Sequence, residues 1–225
     1  MRALVFDLDG TLADTVDDIH ASVNLALAEF AMPQVGREKV IASVGGGVGK
    51  LIEQIVPDAA MRPRTQAKFI EHYGAHLLDR TALYPGAREA LEALRGFALG
   101  VLSNKPEAMT TRIVAALGVA PFFAVVLGGD SLPVKKPDPS ALTRTCERLG
   151  VAPGETMLVG DSRFDVQTAK GAGAVSCAVT WGYAKPGDLE GADYVVDTFA
   201  GVVEVARKIA SPARTTARQR PPESQ

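Results

Sequence analysis

The chain has 225 residues, a formal net charge of −2, 47% hydrophobic residues and 22% charged residues. This composition is typical of a globular protein, and the mildly acidic balance argues against broad nucleic-acid binding, which requires a basic face. No apolar run is long enough for a membrane span or a signal peptide, and two cysteines are too few for a disulfide scaffold. We therefore expect a soluble, cytoplasmic protein without nucleic-acid or membrane partners, built as one domain with a large insertion or as two small domains.

Short apolar runs, each bounded by Gly, Asp, Ser or Pro, alternate with helical patterns along most of the chain. The runs predict strands at residues 1–6, 98–102, 124–127, 157–159, 175–179 and 194–196. The patterns predict helices at residues 87–94, 109–117, 141–149, 164–170 and 202–209. This alternation predicts an α/β fold in which a parallel sheet lies between two layers of helices, a Rossmann-like three-layer sandwich.

One long segment, from about residue 14 to residue 82, breaks the alternation because it contains helical patterns and no convincing strand. Its first helix carries one apolar stripe, made of Val16, Ile19, Val23, Ala26, Leu27 and Phe30. Further helices are predicted at residues 38–43, 50–56 and 65–78. The predicted division is a core of residues 1–13 and 83–210, a helical insertion of residues 14–82, and a disordered tail of residues 211–225.

The first predicted strand ends in two aspartates, Asp7 and Asp9, followed directly by Gly10. Residues two apart in an extended segment point to the same side, so both carboxylates can face one site. One carboxylate can then act as a nucleophile while its neighbour transfers protons. A solvated turn rich in aspartate is the alternative for this segment taken alone.

Three further polar loops follow later strands of the predicted sheet. Ser103 and Asn104 bring a hydroxyl and backbone N–H groups to a helix start, which is a natural phosphate cradle. Lys135 and Lys136 lie in a loop made rigid by prolines, which presents a cation, and Asp161 and Asp165 offer carboxylates for a hard cation. Because ligands of such sheets bind at the carboxyl ends of the strands, these loops are expected to form one site.

In this order, the four loops resemble the motifs of the haloacid dehalogenase superfamily of aspartate-nucleophile phosphatases. The resemblance spans about residues 1–209 and implies that the helical insertion is a mobile cap. It also implies that Asp7 is the nucleophile, that Asp9 is the general acid and base, and that Ser103 and Lys136 hold the phosphoryl group. Lys136 is preferred to Lys135 because the lysine of the family directly precedes a proline.

The same resemblance implies Mg²⁺ as the cofactor. Asp161 would bind the metal together with Asp7 and the backbone carbonyl of Asp9, and Asp165 would support the metal site or orient Lys136. Carboxylate and carbonyl oxygens are the ligands that suit this hard cation. The implied activity is Mg²⁺-dependent hydrolysis of a phosphate monoester through an aspartyl-phosphate.

Within the superfamily, the stretch around Asn104 and the glycine loop of Gly45, Gly46 and Gly47 resemble bacterial phosphoglycolate phosphatases. In that subgroup the glycine loop dips into the active site, so these four residues are candidate substrate contacts. The expected substrate is 2-phosphoglycolate. The alternatives inside the superfamily are a sugar-phosphate phosphatase, a phosphomutase and a pyrophosphatase.

Other functional classes fit the sequence less well. A receiver-like signalling domain would have no inserted helical segment, and a catalytically silent binding protein would not need the complete set of site residues. Residues 45–50 lack the pattern of a P-loop and of a dinucleotide-binding loop. His72 and His76 lack the glutamate of a metalloprotease motif, so we expect no zinc there. The expected partner is a small-molecule phosphate ester, and the expected state is a monomer or a homodimer.

Overall fold

The computed structural model describes residues 1–185 and 187–210, so the tail at residues 211–225, for which we expect disorder, lies outside the described residues. The strands are β1 (Ala3–Phe6), β2 (Ala13–Asp14), β3 (Ala82–Leu83), β4 (Ala98–Leu102), β5 (Val125–Leu127), β6 (Thr156–Gly160), β7 (Val175–Val179) and β8 (Tyr194–Val196). The helices are α1 (Val16–Ala28), α2 (Arg37–Ile41), α3 (Val48–Ile55), α4 (Arg62–Ala75), α5 (Ala87–Ala93), α6 (Glu107–Ala116), α7 (Pro139–Leu149), α8 (Arg163–Ala172) and α9 (Phe199–Ala210). None of these helices combines the length and the apolar character needed to cross a membrane.

Six strands form one parallel sheet in the order β5-β4-β1-β6-β7-β8, which places β1 near the middle. Phe6, the last residue of β1, lies opposite Val101 in β4 and Val159 in β6. The three central strands therefore end at one edge of the sheet. The residues that follow them, which the sequence marks as polar, share that edge.

Helices cover both faces of the sheet, and β1 is accordingly apolar on both sides. Leu4 and Phe6 belong to the larger core cluster, which also contains buried residues of α1, α5 and α9. Val5 points to the second cluster, where it joins Cys146 of α7 and Ala169 of α8. The predicted α/β three-layer arrangement with a parallel sheet is confirmed.

The segment of residues 16–75 contains the four helices α1 to α4 and the loops that join them, and it lies between β2 and β3 in the chain. The helix α1 packs against α2 and α4, and α3 packs against α4, so the four helices have apolar contacts of their own. The predicted stripe on α1 is buried as far as Leu27. Its last predicted member, Phe30, lies beyond the end of the helix, where Arg64 covers its ring at 5.0 Å.

The expectation that residues 14–82 contain no strand is wrong at both ends of that segment. Asp14 pairs with Ala82, and Ala13 pairs with Leu83, in a short antiparallel ribbon of β2 and β3. Two-residue strands have no periodicity that a sequence pattern could reveal. The ribbon brings the two connections of the helical segment side by side.

Candidate active site

Asp7 follows β1 directly and is buried at the sheet edge. Its Oδ1 accepts the backbone N–H of Leu8 at 2.7 Å and lies 2.9 Å from the ammonium of Lys136. Burial raises the pKa of Asp7, Lys136 lowers it, and the nearby carboxylates of Asp165 and Asp9 raise it again, giving a pKa of about 6. Both described donors bind Oδ1, which leaves Oδ2 as the oxygen free to react.

Lys136 bridges two carboxylates, because its ammonium also lies 2.6 Å from Asp165 Oδ1. Burial alone would lower the pKa of Lys136, but Asp165 and Asp7 outweigh burial and hold this pKa above its usual value. Asp165 Oδ2 accepts the backbone N–H and the hydroxyl of Ser162 and so caps α8. Both oxygens of Asp165 thus have protein donors, an arrangement suited to orienting Lys136.

Asp161 follows β6 and completes a buried group with Asp7 and Asp165, in which one oxygen from each carboxylate lies within 4.8 Å of the others. Its Oδ2 accepts the backbone N–H of Tyr183 at 2.6 Å, and its Oδ1 accepts the hydroxyl of Thr11 at 3.2 Å. Burial, then Asp7 and Asp165, raise the pKa of Asp161 well above its ordinary value. Buried like charges of this kind fit a hard cation bound by oxygen ligands.

Asp9 lies beside the group of three carboxylates and is held through Oδ1. This oxygen accepts the hydroxyl of Thr15 at 2.6 Å and lies 2.9 Å from the ammonium of Lys105. Burial lowers the pKa of Lys105, but Asp9 and Tyr73 outweigh burial and raise this pKa above its usual value. The sequence motifs assign Lys105 no role, because its burial beside Asp9 leaves no signal in the sequence.

Ser103 and Asn104 follow β4, and they differ in what they contact. Ser103 is buried in the cleft next to Asp7, with its backbone N–H bonded to Leu127. The amide of Asn104 donates to the carbonyls of Gly45 at 2.8 Å and of Lys136 at 2.9 Å. Asn104 therefore ties the glycine loop to the lysine loop.

The glycine loop at residues 45–47 approaches the sheet edge closely. Gly47 has a φ of +84°, and a Cβ on it would lie 3.0 Å from the backbone oxygen of Asn104. Gly45 has a φ of +108°, and a Cβ on it would lie 3.2 Å from the ring of Phe164. Glycine alone meets both the backbone conformation and the space at these two positions. The carbonyl of Gly46 accepts the ammonium of Lys135 at 3.0 Å, so Lys135 and Lys136 have different partners.

A cleft between the sheet edge and the helical segment brings these parts together. Its polar side contains Asp7, Asp9, Ser103, Asn104 and Lys105, together with Gly45 and Gly47. Its apolar side comes from the helical segment and contains Ile19, Val48, Leu51, Phe69 and Tyr73. Gly46 does not line this cleft; it lines a neighbouring one with Asp161 and Tyr183.

The histidine pair, Lys50 and the two cysteines do not line the cleft. His72 pairs with Glu29 at 2.7 Å and His76 pairs with Asp79 at 2.9 Å, so the two histidines contact different carboxylates. Lys50 pairs with Glu53 on the surface. The two cysteines are buried and free, as expected.

Tyr183 and Trp181 were not predicted as part of the site, although both contact it. The hydroxyl of Tyr183 donates to Asp14 at 2.8 Å and accepts the backbone N–H groups of Thr15 and Val16. The indole of Trp181 donates to the carbonyl of Thr11 at 3.0 Å. Both residues lie in the loop after β7, where the sequence offers no motif.

Comparison with known proteins agrees with the geometry. A family model described as haloacid dehalogenase-like hydrolase matches residues 4–179. The chain is 34% identical over 216 residues to a phosphoglycolate phosphatase of Chromobacterium violaceum, covering 92% of this chain and 97% of the relative. It is 38% identical over 214 residues to a phosphoglycolate phosphatase of Pseudomonas putida, covering 90% and 78%. A crystal structure from Haemophilus somnus 129PT, described as a predicted phosphoglycolate phosphatase, superposes with a TM-score of 0.87 at 31% identity, covering 91% and 97%.

Proposed function

This chain belongs to the haloacid dehalogenase-like hydrolases, and we propose that it is a Mg²⁺-dependent phosphatase that hydrolyses 2-phosphoglycolate through an aspartyl-phosphate on Asp7. The observation that carries this proposal is the pair of carboxylates at the end of β1 with a separate cation on each. Lys136 lies 2.9 Å from Asp7, and Lys105 lies 2.9 Å from Asp9. Two neighbouring carboxylates with different partners suit two different roles, one as nucleophile and one as proton carrier.

In the first step, Asp7 Oδ2 attacks the phosphorus in line with the ester oxygen. The P–O bond to the leaving group breaks, and Asp9 gives its proton to the departing alkoxide. Lys136 and Ser103 hold the phosphoryl oxygens, whose negative charge the buried ammonium offsets. Asp165 keeps Lys136 in place through the 2.6 Å ion pair.

In the second step, Asp9 takes a proton from a water molecule, which attacks the phosphorus of the aspartyl-phosphate. The bond to Asp7 breaks, inorganic phosphate leaves, and Asp9 carries the proton for the next turnover. The 2.6 Å bond from Thr15 holds the carboxylate of Asp9 in position for both transfers.

Asp7 and Asp161, with the backbone carbonyl of Asp9, are the ligands that fit Mg²⁺ at this site. The fit rests on the donor set, which is made of oxygen atoms, and on the raised pKa of Asp7 and Asp161. Burial is the main cause of both raised pKa values, and neighbouring carboxylates add to it. When bound, Mg²⁺ offsets the negative charge that the carboxylates and the phosphate bring together. Asp165 is proposed to act on Lys136 and not as a ligand, because its Oδ1 is paired with that ammonium and its Oδ2 accepts both donors of Ser162. Asp7 keeps Oδ2 without a described donor, and the described partners of Asp161 are uncharged.

We also propose that residues 14–82 act as a cap over a core of residues 1–13 and 83–210. Support comes from the cleft, whose charged side chains belong to the core and whose apolar side chains come mostly from the helical segment. Closure of such a segment excludes bulk water from the reacting groups. Asn104 and Lys135 bind carbonyls of the glycine loop, and these contacts would hold the cap closed.

The substrate assignment is supported by the names of relatives at 34% and 38% identity and by the glycine loop above the cleft. A sugar-phosphate phosphatase, a phosphomutase and a pyrophosphatase are the alternatives inside the same superfamily. The two buried free cysteines suit the reducing cytoplasm, which we propose as the location. We keep a monomer or a homodimer as the proposed state.

Phosphate release from a panel of phosphate esters, with Mg²⁺ and with EDTA, tests the proposed function. We expect the highest kcat/KM for 2-phosphoglycolate and no turnover in EDTA. A higher kcat/KM for a sugar phosphate or for pyrophosphate would replace the substrate assignment. Full turnover in EDTA would remove the metal from the proposal.

A further inference from the structure

We propose that Lys105 binds the carboxylate of the substrate and so selects phosphate esters that carry a second anion one carbon from the ester oxygen. This assignment deepens the proposed function and rests on it. It concerns a site residue that the sequence motifs left without a role.

The position of Lys105 is that of a ligand-binding cation. Its side chain is only 4% exposed, and it lines the cleft together with Asp7, Asp9 and Ser103. Lysine is rarely buried to this extent without a charged partner. Asp9, its partner, itself belongs to the reacting pair of carboxylates.

The ammonium of Lys105 has a donor to spare. Lysine carries three N–H donors. Among the described residues, one donor is directed to Asp9 Oδ1 at 2.9 Å and one to the hydroxyl of Tyr73 at 2.7 Å. A third donor is therefore available to a ligand in the cleft.

The distance from Asp9 matches the length of the substrate. A proton donor must lie within hydrogen-bond reach of the leaving ester oxygen, so this oxygen binds beside Asp9. In 2-phosphoglycolate one methylene group separates that oxygen from the carboxylate. With Lys105 2.9 Å from Asp9, the carboxylate comes within reach of the ammonium when the ester oxygen is in place.

Lys105 lines the cleft, whereas Lys136 does not, and the charges around the two ammonium groups also favour Lys105 for this role. Lys136 already lies between two carboxylates, those of Asp7 and Asp165. Within residues 1–185 and 187–210, Lys105 has one carboxylate partner, Asp9. A second anion entering the cleft therefore meets less competition at Lys105.

The surroundings strengthen an ion pair at Lys105. The ring of Tyr73 lies 4.5 Å from the ammonium and is stacked on the ring of Phe69 at 5.3 Å. Ile19 and Leu51 complete the apolar side of the cleft. Opposite charges attract more strongly beside these apolar and aromatic side chains than in water, because the local dielectric constant is lower.

The test compares 2-phosphoglycolate with ethyl phosphate, which has the same length and no carboxylate. We expect Lys105→Met to lower the ratio of kcat/KM for 2-phosphoglycolate to kcat/KM for ethyl phosphate by at least 30-fold. Any loss caused by a displaced Asp9 affects both substrates and cancels in the ratio. An unchanged ratio would show that Lys105 only positions Asp9 and would overturn the assignment.

Thr15→Val is the matched control, because it removes the other hydrogen bond to Asp9 Oδ1 without removing a cation. It should slow both substrates to a similar extent and leave the ratio within about threefold. Lys105→Arg should keep part of the preference, since it keeps the charge. A ratio that falls as far in Thr15→Val as in Lys105→Met would contradict the assignment.

A measurement on the unmodified protein covers the case in which Lys105→Met does not fold. We expect 3-phosphonopropionate to inhibit ethyl phosphate hydrolysis at least tenfold more strongly than propylphosphonate does. Equal inhibition would overturn a carboxylate site. If the unmodified protein shows no preference for 2-phosphoglycolate over ethyl phosphate, the substrate proposal fails together with the role of Lys105. A preference that survives Lys105→Met overturns the role of Lys105 alone.

Discussion

The backbone N–H of Tyr183 donates to Asp161 Oδ2 at 2.6 Å. The same residue reaches the start of α1 with its side chain, where its hydroxyl contacts Asp14, Thr15 and Val16. Tyr183 thus contacts both a carboxylate of the proposed metal site and the chain segment at residues 14–16, which leads from the core into the helical segment.

Replacing Tyr183 with Phe keeps the backbone contact to Asp161 and removes the contacts of the hydroxyl. The N–H groups of Thr15 and Val16 then lose a partner in a partly buried place. We expect the free energy of unfolding to fall by about 1–2 kcal/mol. Urea denaturation of the variant and of the unmodified protein measures this difference in the free energy of unfolding. Tyr194→Phe is the control, because no described residue bonds to the hydroxyl of Tyr194, and an equal loss in both variants would contradict the role of Tyr183.

Asp7→Asn should abolish turnover, since it removes the nucleophile, and it should change how stability depends on pH. The pKa of Asp7 is raised from 3.8 to about 6, so the folded state holds this proton more tightly than the unfolded state does. Ionisation of Asp7 therefore lowers the stability of the unmodified protein as pH rises from about 4 to about 6, and the loss is complete above that range. The variant has no such titration.

We expect the stability of Asp7→Asn relative to the unmodified protein to rise by on the order of 2 kcal/mol between pH 4.5 and pH 7.5, in EDTA. Denaturation at the two pH values measures this difference. A difference that stays constant with pH would contradict the effect of burial on Asp7. Retained phosphatase activity in the variant would contradict its role as nucleophile.

Mg²⁺ should stabilise the unmodified protein and not the variant Asp161→Asn. Binding to the folded state alone adds about 2.7 kcal/mol at a concentration 100 times Kd, which corresponds to a Tm increase of several degrees. In EDTA, Asp161→Asn should melt at or above the Tm of the unmodified protein, because it relieves repulsion among buried carboxylates. Asp58→Asn removes an exposed charge and should respond to Mg²⁺ as the unmodified protein does. The same Mg²⁺ shift in Asp161→Asn would place the metal elsewhere.

Asp18 should stabilise the fold by joining α1 to the end of the helical segment at residues 80–81. Its buried carboxylate accepts the backbone N–H groups of Arg80 and Thr81 and the hydroxyl of Thr81. We expect Asp18→Ala to lower the free energy of unfolding by about 2–4 kcal/mol, since it leaves buried donors unpaired. Asp17→Ala, which breaks an exposed pair with Arg37, should cost about 1 kcal/mol or less. Equal losses in urea denaturation would refute this assignment.

Gly47→Ala should reduce activity by tenfold or more, about 1.4 kcal/mol on the barrier, because the new Cβ pushes the loop away from Asn104. Steady-state kinetics with 2-phosphoglycolate measures the loss. Gly74→Ala is the control, since a Cβ there meets nothing within 4 Å inside α4. An active Gly47→Ala variant that folds would show that the close approach of the loop is not needed.

The local pattern of the sequence was enough to predict the layers and the edge where the site lies. Alternating strands and helices imply a parallel sheet, and a parallel sheet brings the ends of β1, β4 and β6 together. Asp7, Ser103 and Asp161 follow these three strands, so the alternation of elements predicts that they lie at the same edge. The order of the strands, which makes β1 the neighbour of both β4 and β6, came from the structure. The choice of Lys136 over Lys135 came from the family resemblance, in which the lysine precedes a proline. In the structure Lys136 lies beside Asp7, whereas Lys135 binds the carbonyl of Gly46.

Only the tertiary structure decided which further side chains complete the site. Lys105 lies beside Asp9 and Tyr73, and Tyr183 lies beside Asp161, across long separations in the chain. The pairing of β2 with β3 could not be predicted from the sequence either, because two-residue strands are too short to show a periodic pattern of apolar residues. A sequence pattern reports how each residue relates to its near neighbours along a helix or strand. The burial of one ammonium against one carboxylate depends instead on how separate elements pack, and that packing exists only in the folded chain.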